Sequence, residues 1–181
     1  MFLINVNARS LSKNLEHQNI YLTSLSHVFS IIAITETWAN YTNESHLLIP
    51  GYNSIFKNRP KGRGGGVSLF IRQLLTYSIR KDLDIFDKNE DLESLFIELN
   101  DINFGTKIIS AVYRPPGNCI DTFMSSFESI MAVLSNYKHD CLVADDWNID
   151  LLKSDVHSGT DCFQFTWKPI YTCDNQTNAI C

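Results

Sequence analysis

Short apolar runs that end in polar residues limit what this chain can fold into. The run Phe2–Asn7 alternates apolar and polar side chains and ends on an amide, Ile31–Ile34 leads into Glu36, and Cys141–Ala144 leads into Asp146. Runs of this length suit β-strands, and the two continuous runs suit strands buried on both faces. Because strand ends in open α/β sheets converge on one edge, we expect these polar residues to share a site.

Helical segments alternate with these strands, which predicts one α/β core. Leu15, Leu22 and Leu25 recur at helical spacing, and Asp121 to Tyr137 carries one apolar stripe that we interpret as core rather than as a cofactor site. In the middle of the chain, β-branched and aromatic residues mix with polar ones, which favours strands that pair as antiparallel neighbours. These strands are predicted at Tyr52–Lys57, Val67–Arg72, Leu92–Leu99 and Lys107–Tyr113.

The bulk composition indicates one packed domain over residues 1–181, which we expect to be monomeric. The five cysteines form no CxxC pair and are expected to be reduced thiols. No apolar run is long enough for a signal sequence or a membrane span, so we expect an intracellular protein, in the nucleus or cytoplasm, with no membrane partner. The net charge of −5 argues against indiscriminate binding to polyanions, but the segment from Lys57 to Lys81 holds seven basic residues and no acidic one.

Five polar residues stand at the ends of predicted strands, namely Asn7, Glu36, Tyr113, Asp146 and Asn148. Carboxylate and amide oxygens with no His or Cys nearby are ligands for a hard cation such as Mg²⁺, which leaves room for water and a substrate phosphate. This pattern favours phosphoester chemistry. In the competing interpretation the asparagines are caps or turns, the glutamate is a surface carboxylate and the tyrosine is a core aromatic. The residues alone leave both interpretations open.

Several short motifs occur together in one order along the chain. The most specific are Glu36-Thr37-Trp38 and Tyr113-Arg114-Pro115-Pro116, with a glycine triplet between them. From Asn5 to about Pro169 the chain resembles the endonuclease domain of LINE-type non-LTR retrotransposons, within the endonuclease/exonuclease/phosphatase superfamily that includes apurinic/apyrimidinic endonucleases. The remaining motifs are Asn7-Ala8-Arg9-Ser10-Leu11, Gly51-Tyr52, Arg63-Gly64-Gly65-Gly66-Val67, Glu93-Ser94-Leu95 and Asp146-Trp147-Asn148-Ile149-Asp150.

The resemblance implies a four-layer α/β sandwich, with two packed mixed β-sheets flanked by helices, that nicks DNA using Mg²⁺ or Mn²⁺. It implies that Asn7 is an active-site residue that also helps to bind the metal, and that Glu36 is a metal ligand. Tyr113 is then expected to contact the phosphate. Asp146 would activate the attacking water or stabilise the leaving group, and Asn148 would hold the phosphate.

DNA is the partner that the resemblance implies, together with the reverse transcriptase region of a parent element. Basic residues near the predicted site are expected to contact the phosphate backbone. They are Arg9, Lys57, Arg59, Lys61, Arg63 and Arg114.

Two departures from the family pattern bear on activity. Asp145 stands where the family has Gly, and a second carboxylate beside Asp146 should raise the pKa of one of the two. The chain reaches Cys181 without the closing Ser-Asp-His motif, so we expect a C-terminally incomplete domain, lacking the C-terminal strands and weak or inactive in cleavage. Two alternatives remain: a catalytically dead remnant that at most binds nucleic acid, and a phosphoesterase of the same fold that acts on another phosphate ester.

Overall fold

The computed structural model describes residues 1–60, 64–86, 92–103, 105–117, 119–148 and 172–173. Two α-helices lie in this part of the chain, α1 at Leu11–Ser24 and α2 at Ile120–Leu134, with 3₁₀ turns at Glu44–His46 and Lys81–Phe86. The strands are β1 Leu3–Asn7, β2 Ile31–Thr35, β3 Tyr52–Lys57, β4 Val67–Arg72, β5 Thr76–Ile79, β6 Glu93–Asp101, β7 Gly105–Tyr113, β8 Asp140–Asp146 and β9 Thr172–Cys173.

The strands form two mixed sheets. Sheet 1 has the order β3-β4-β2-β1-β9, in which β1 pairs in parallel with β2 and β9, while β4 is antiparallel to β2 and β3. Sheet 2 has the order β5-β6-β7-β8, with antiparallel pairs up to β7 and a parallel pair between β7 and β8. In the parallel pairs β1–β2 and β7–β8 the second strand follows the first through a helix, α1 and α2 respectively, which is the usual crossover between parallel strands.

The main core lies between the two sheets. Leu3, Ile31 and Leu69 from sheet 1 pack in one cluster with Leu95 and Ile109 from sheet 2, and all five are buried. Because successive side chains of a strand point to opposite faces, each sheet also presents an apolar outer face that a helix must cover.

The helices cover those outer faces. On sheet 1, Leu11 of α1 packs in a cluster with Val6 of β1. On sheet 2, Phe123 and Phe127 of α2 stack on each other and pack in a cluster with Phe96 of β6. The order helix, sheet, sheet, helix confirms the predicted four-layer α/β sandwich and the interpretation of the α2 stripe as core.

The structure adds two strands that the sequence did not predict. β5 has mostly exposed residues at a sheet edge, so burial left no clear pattern in its sequence. β9 is a two-residue strand in the tail, where no periodic pattern was found. The expected antiparallel neighbours are confirmed as β3 with β4 and β6 with β7, but the two pairs lie in different sheets.

Candidate active site

The carboxyl ends of four strands meet at one edge of the sandwich. In sheet 1 the parallel register places Asn7 of β1 beside Thr35 of β2, with Glu36 next in the chain. In sheet 2 the parallel register places Tyr113 of β7 beside Asp146 of β8. The site is therefore built from one parallel strand pair of each sheet.

The amide of Asn7 joins the two halves of the site. Its Nδ2 donates to Glu36 Oε1 at 2.9 Å and to Asp146 Oδ2 at 2.7 Å. The Thr35 hydroxyl also donates to Asp146 Oδ2, at 3.4 Å. Deeper in the same junction, Asn5 Nδ2 donates across the sheets to the backbone carbonyl of Asp145 at 2.6 Å. An amide is suited to this bridge because its two N–H groups can donate to two carboxylates at once.

Negative charge is concentrated at this junction. Burial raises the pKa of Asp146, the charge of Glu36 raises it further, and the hydrogen bond from Asn7 opposes the rise. Burial also raises the pKa of Tyr113, and the charges of Glu36, Glu93 and Asp146 add to that rise. The Tyr113 hydroxyl is therefore protonated at neutral pH, so it can donate a hydrogen bond.

The loop after β2 holds Glu36 in an unusual backbone conformation. Glu36 has φ 51°, in the left-handed region, and its carbonyl accepts a hydrogen bond from Ser10 N at 2.9 Å. Trp38, also at φ 51°, donates its N–H to Gly65 O at 2.9 Å. A non-glycine residue at positive φ is strained, so its conformation persists only where surrounding contacts stabilise it. The hydrogen bonds to the Glu36 carbonyl and from the Trp38 N–H stabilise this loop and thereby hold the Glu36 carboxylate at the end of β2.

A set of reciprocal bonds ties the end of β8 to the end of β7. The Arg114 N–H donates to Asp146 O at 3.0 Å, and Arg114 Nε donates to Trp147 O at 2.5 Å. Its terminal nitrogen Nη2 donates to Asn148 O. In return, Asn148 Nδ2 donates to Arg114 O at 2.9 Å. Asn148 has φ 49°, a conformation that asparagine tolerates better than most residues, so this loop holds its side chain beside the site.

No protein-family model matches the sequence, and no curated protein matches it. Solved structures do match. The endonuclease domain of TRAS1, a telomere-specific non-LTR retrotransposon, aligns with TM-score 0.51 at 9% identity over 79% of this chain and 57% of that domain. A humanized D. rerio TDP2 carrying 14 mutations aligns with TM-score 0.58 at 11% identity, over 85% of this chain and 69% of that one. AP endonuclease LMAP from Leishmania major aligns with TM-score 0.56 at 16% identity, over 80% and 53%.

The chain has the endonuclease/exonuclease/phosphatase fold. It spans 57% of the TRAS1 domain and 53% of LMAP. At these identities the match identifies the fold, and the residues of the site must be judged on their own contacts.

Within this fold the structure brings together Asn7, Glu36, Asp146 and, beside them, Tyr113. Asn148 lies at the same edge, with its amide already donating to a backbone carbonyl. Sequence reasoning missed Thr35, although the residue precedes Glu36 and shares a register position with Asn7.

The six basic residues proposed as DNA contacts occupy different environments. Arg9 is exposed and its backbone N–H donates to Asn7 Oδ1 at 3.1 Å, while Lys57 is half-buried at the end of β3. Arg59 forms an ion pair with the buried Glu93. Arg114 is only 4% exposed and donates to the backbone carbonyls of the β8 loop, which gives it a structural role. Lys61 and Arg63 lie outside the described residues.

A metal cage made only of protein side chains is absent from the described part of the chain, where no group of three or more His, Cys, Asp or Glu is arranged to hold an ion. Mg²⁺ does not require such a cage, because it usually keeps several waters and binds one or two carboxylates together with substrate phosphates. The donor set fits that mode, since Glu36 and Asp146 supply two carboxylates that repel each other and the Asn7 amide beside them also carries an oxygen.

Histidine is missing from the site as far as the structure describes it. His17 lies in α1, His27 packs edge-on against Phe2, His46 lies in a 3₁₀ turn and His139 precedes β8. None of these four forms a hydrogen bond or ion pair with the site residues within the described ranges; His157 lies outside them.

In the part of the chain that the structure describes, no helix is long and apolar enough to cross a membrane.

Proposed function

We propose that this chain is a metal-dependent phosphodiesterase of the type that nicks DNA for non-LTR retrotransposition. The proposal rests mainly on the Asn7 amide, which donates hydrogen bonds to both Glu36 and Asp146 across the two sheets. Burial raises the pKa of the Tyr113 hydroxyl, which lies close enough to both carboxylates for their charges to raise this pKa further. The fold shared with the TRAS1 endonuclease domain and with an AP endonuclease supports the same reading.

The four side chains have distinct tasks in this proposal. Glu36, with Asn7 Oδ1, would hold Mg²⁺ or Mn²⁺, and the bound ion would neutralise the charge that develops on the phosphate. Tyr113 stays protonated and donates to a phosphate oxygen. Asp146 has a raised pKa, so its carboxylate is a better proton acceptor toward an attacking water than an ordinary aspartate.

Asn148 and Arg114 complete the site in different ways. The Asn148 amide has two N–H groups; one donates to Arg114 O, and the other would hold a phosphate oxygen. Arg114 positions Asn148 through the backbone of the β8 loop.

Nicking of supercoiled plasmid tests the proposal. We expect the unsubstituted chain to nick weakly with Mg²⁺ or Mn²⁺, and we expect this nicking to stop when EDTA is added. Glu36→Gln should lower the rate at least about 100-fold, because it removes the charge that holds the ion. Glu128→Gln, which makes the same change on an exposed position of α2, should leave the rate unchanged. Equal nicking by Glu36→Gln and the unsubstituted chain would refute the proposal.

One observation favours a second candidate, nucleic-acid binding without cleavage. The described part of the site contains no histidine to act as a general acid or base, and loss of such a group typically lowers a rate by about 10² to 10⁴. Binding of DNA that weakens with salt, without metal-dependent nicking and with Glu36→Gln binding as well as the unsubstituted chain, would select this candidate.

A further inference from the structure

Glu93 links the two sheets next to the candidate active site. It is 9% exposed at the start of β6, and both of its carboxylate oxygens are occupied. Oε1 accepts from Arg59 Nε at 2.5 Å, and Oε2 accepts from the Gly66 N–H at 2.5 Å. A buried carboxylate is tolerated only when it is paired and hydrogen-bonded, and both partners here belong to the segment between β3 and β4 of sheet 1.

The glycine triplet Gly64–Gly66 leaves room for the Arg59 side chain of this ion pair. A Cβ on Gly65 would collide with the Arg59 guanidinium, and a Cβ on Gly66 would lie 2.6 Å from Thr37 Oγ1. Both glycines have positive φ, at 67° and 82°. The arginine therefore packs directly on the backbone of the triplet, where no side chain fits.

The guanidinium is only partly occupied by Glu93. The ion pair uses Nε, while the buried Nη2 has no hydrogen-bond partner in the part of the chain that the structure describes. Because Nη2 is itself buried, a ligand can reach Arg59 only at the solvent-exposed part of its side chain. The side chain as a whole is 25% exposed, so it can be reached from the solvent.

The position of this pair places it beside the reacting centre. Glu93 is directly opposite Tyr113 in the antiparallel register of β6 and β7, and opposite residues of a strand pair have Cβ atoms only about 5 Å apart. The charge of Arg59 also acts on the Tyr113 hydroxyl, where it opposes the rise in the pKa of Tyr113. Arg59 is thus a positive group at the edge of an otherwise acidic site.

We propose that Glu93 and the glycine triplet form a clamp that aims Arg59 at a DNA phosphate next to Tyr113. Arg59 contacts the substrate, and Glu93 is a positioning residue that acts through it. A guanidinium suits this task because its fixed fork of donors matches phosphate oxygens. This inference rests on the proposed function, since it takes DNA as the substrate.

DNA binding separates this clamp from a merely structural ion pair. We would measure fluorescence anisotropy of a labelled DNA duplex in EDTA over a range of salt concentrations. Arg59→Gln should weaken binding about tenfold, the loss of one charged hydrogen bond. It should also reduce the slope of log affinity against log salt by about 0.9, the loss of one phosphate contact.

Glu93→Gln gives the sharper result. Removing a negative charge near DNA strengthens binding if only the overall charge matters. The clamp predicts the opposite result, weaker binding, because without the Glu93 carboxylate the Arg59 guanidinium is no longer held toward the DNA phosphate. Glu93→Asp, which keeps the charge but shortens the reach, should also bind more weakly, so a second variant is available should Glu93→Gln fail to fold.

Glu98→Gln is the matched control. Glu98 lies on the same strand and pairs with Arg80 at 3.0 Å, but far along the strand from Tyr113. We expect it to bind DNA as well as the unsubstituted chain or slightly better, and thermal unfolding would establish that each variant is folded.

The possible outcomes distinguish the two proposals. An unchanged salt slope in Arg59→Gln together with tighter binding by Glu93→Gln would overturn the clamp alone. Absence of DNA binding by the unsubstituted chain even at low salt would overturn the clamp and the proposed DNA substrate together. Weaker binding by Arg59→Gln and both Glu93 variants, with or without nicking by the unsubstituted chain, would support the clamp.

Discussion

Asp145 shows how a single residue can set a pH dependence of the fold. Burial raises the pKa of its carboxyl to about 6, and the neighbouring charge of Asp146 adds to the rise. Between about pH 4 and pH 6 the folded chain therefore binds more protons than the unfolded chain, whose carboxyl has its ordinary pKa. The free energy of unfolding consequently falls as pH rises through this window, and it stays reduced above it.

Replacing this carboxyl by an amide removes the penalty. Asp145→Asn should raise the free energy of unfolding by about 2 kcal/mol near pH 8, and the gain should vanish below about pH 4. Urea unfolding in EDTA at several pH values measures both quantities. The exposed Glu128→Gln should change stability little at any of them. An equal effect of Asp145→Asn at both ends of the pH range would contradict the assigned burial.

At the scale of elements, the loop between β3 and β4 depends on glycine for space as well as for backbone conformation. Gly66→Ala introduces a Cβ 2.6 Å from Thr37 Oγ1 at φ 82°. Gly117→Ala has a similar φ of 89°, but no atom of the described residues lies within 4 Å of the added Cβ. We expect Gly117→Ala to cost about 1 kcal/mol of stability from backbone strain alone, and Gly66→Ala to cost at least about 2 kcal/mol more from the clash.

Urea unfolding of the two variants tests this difference. Gly66→Ala should also lower nicking, because Gly66 O receives the N–H of Thr37 next to Glu36. Equal destabilisation by the two substitutions would mean that the close approach at Gly66 does not constrain the loop.

Element by element, the sequence predicted which segments are strands and helices better than it predicted their partners. The burial of Ile31–Ile34 on both faces and the stripe of α2 follow from local periodicity, which depends on neighbours along the chain. Periodicity reports that a face is buried but not what covers it. The assignment of β4 and β6 to different sheets, and the edge strand β5, were therefore not visible in the sequence.

For the site too, the sequence indicated which residues lie at strand ends but not which residues become their neighbours in the folded chain. Asn7, Glu36 and Asp146 were placed together because strand ends of a parallel arrangement share an edge. The surroundings of Arg59 and Arg114 were not predicted, because charge alone favoured a DNA-facing role for both. Their partners, Glu93 and the backbone carbonyls of the β8 loop, are distant in sequence and become neighbours only when the two sheets and their loops pack.

For the whole molecule, the candidate site is a property of the packed sandwich rather than of either sheet. Asn7 and Glu36 belong to sheet 1, and Tyr113 and Asp146 belong to sheet 2. The hydrogen bond from Asn7 to Asp146 and the ion pair between Arg59 and Glu93 both cross this interface. We infer that this junction of two sheets is one acidic site that accepts a divalent cation.

Titration with Mn²⁺, followed by the electron paramagnetic resonance signal of the free ion, tests that claim most directly. We expect the unsubstituted chain to bind Mn²⁺ in competition with Mg²⁺. Glu36→Gln should weaken the binding at least about tenfold, because a single carboxylate contributes much of the charge at such a site. Glu128→Gln should bind as the unsubstituted chain does. Identical Mn²⁺ affinity in Glu36→Gln and the unsubstituted chain would contradict the claim.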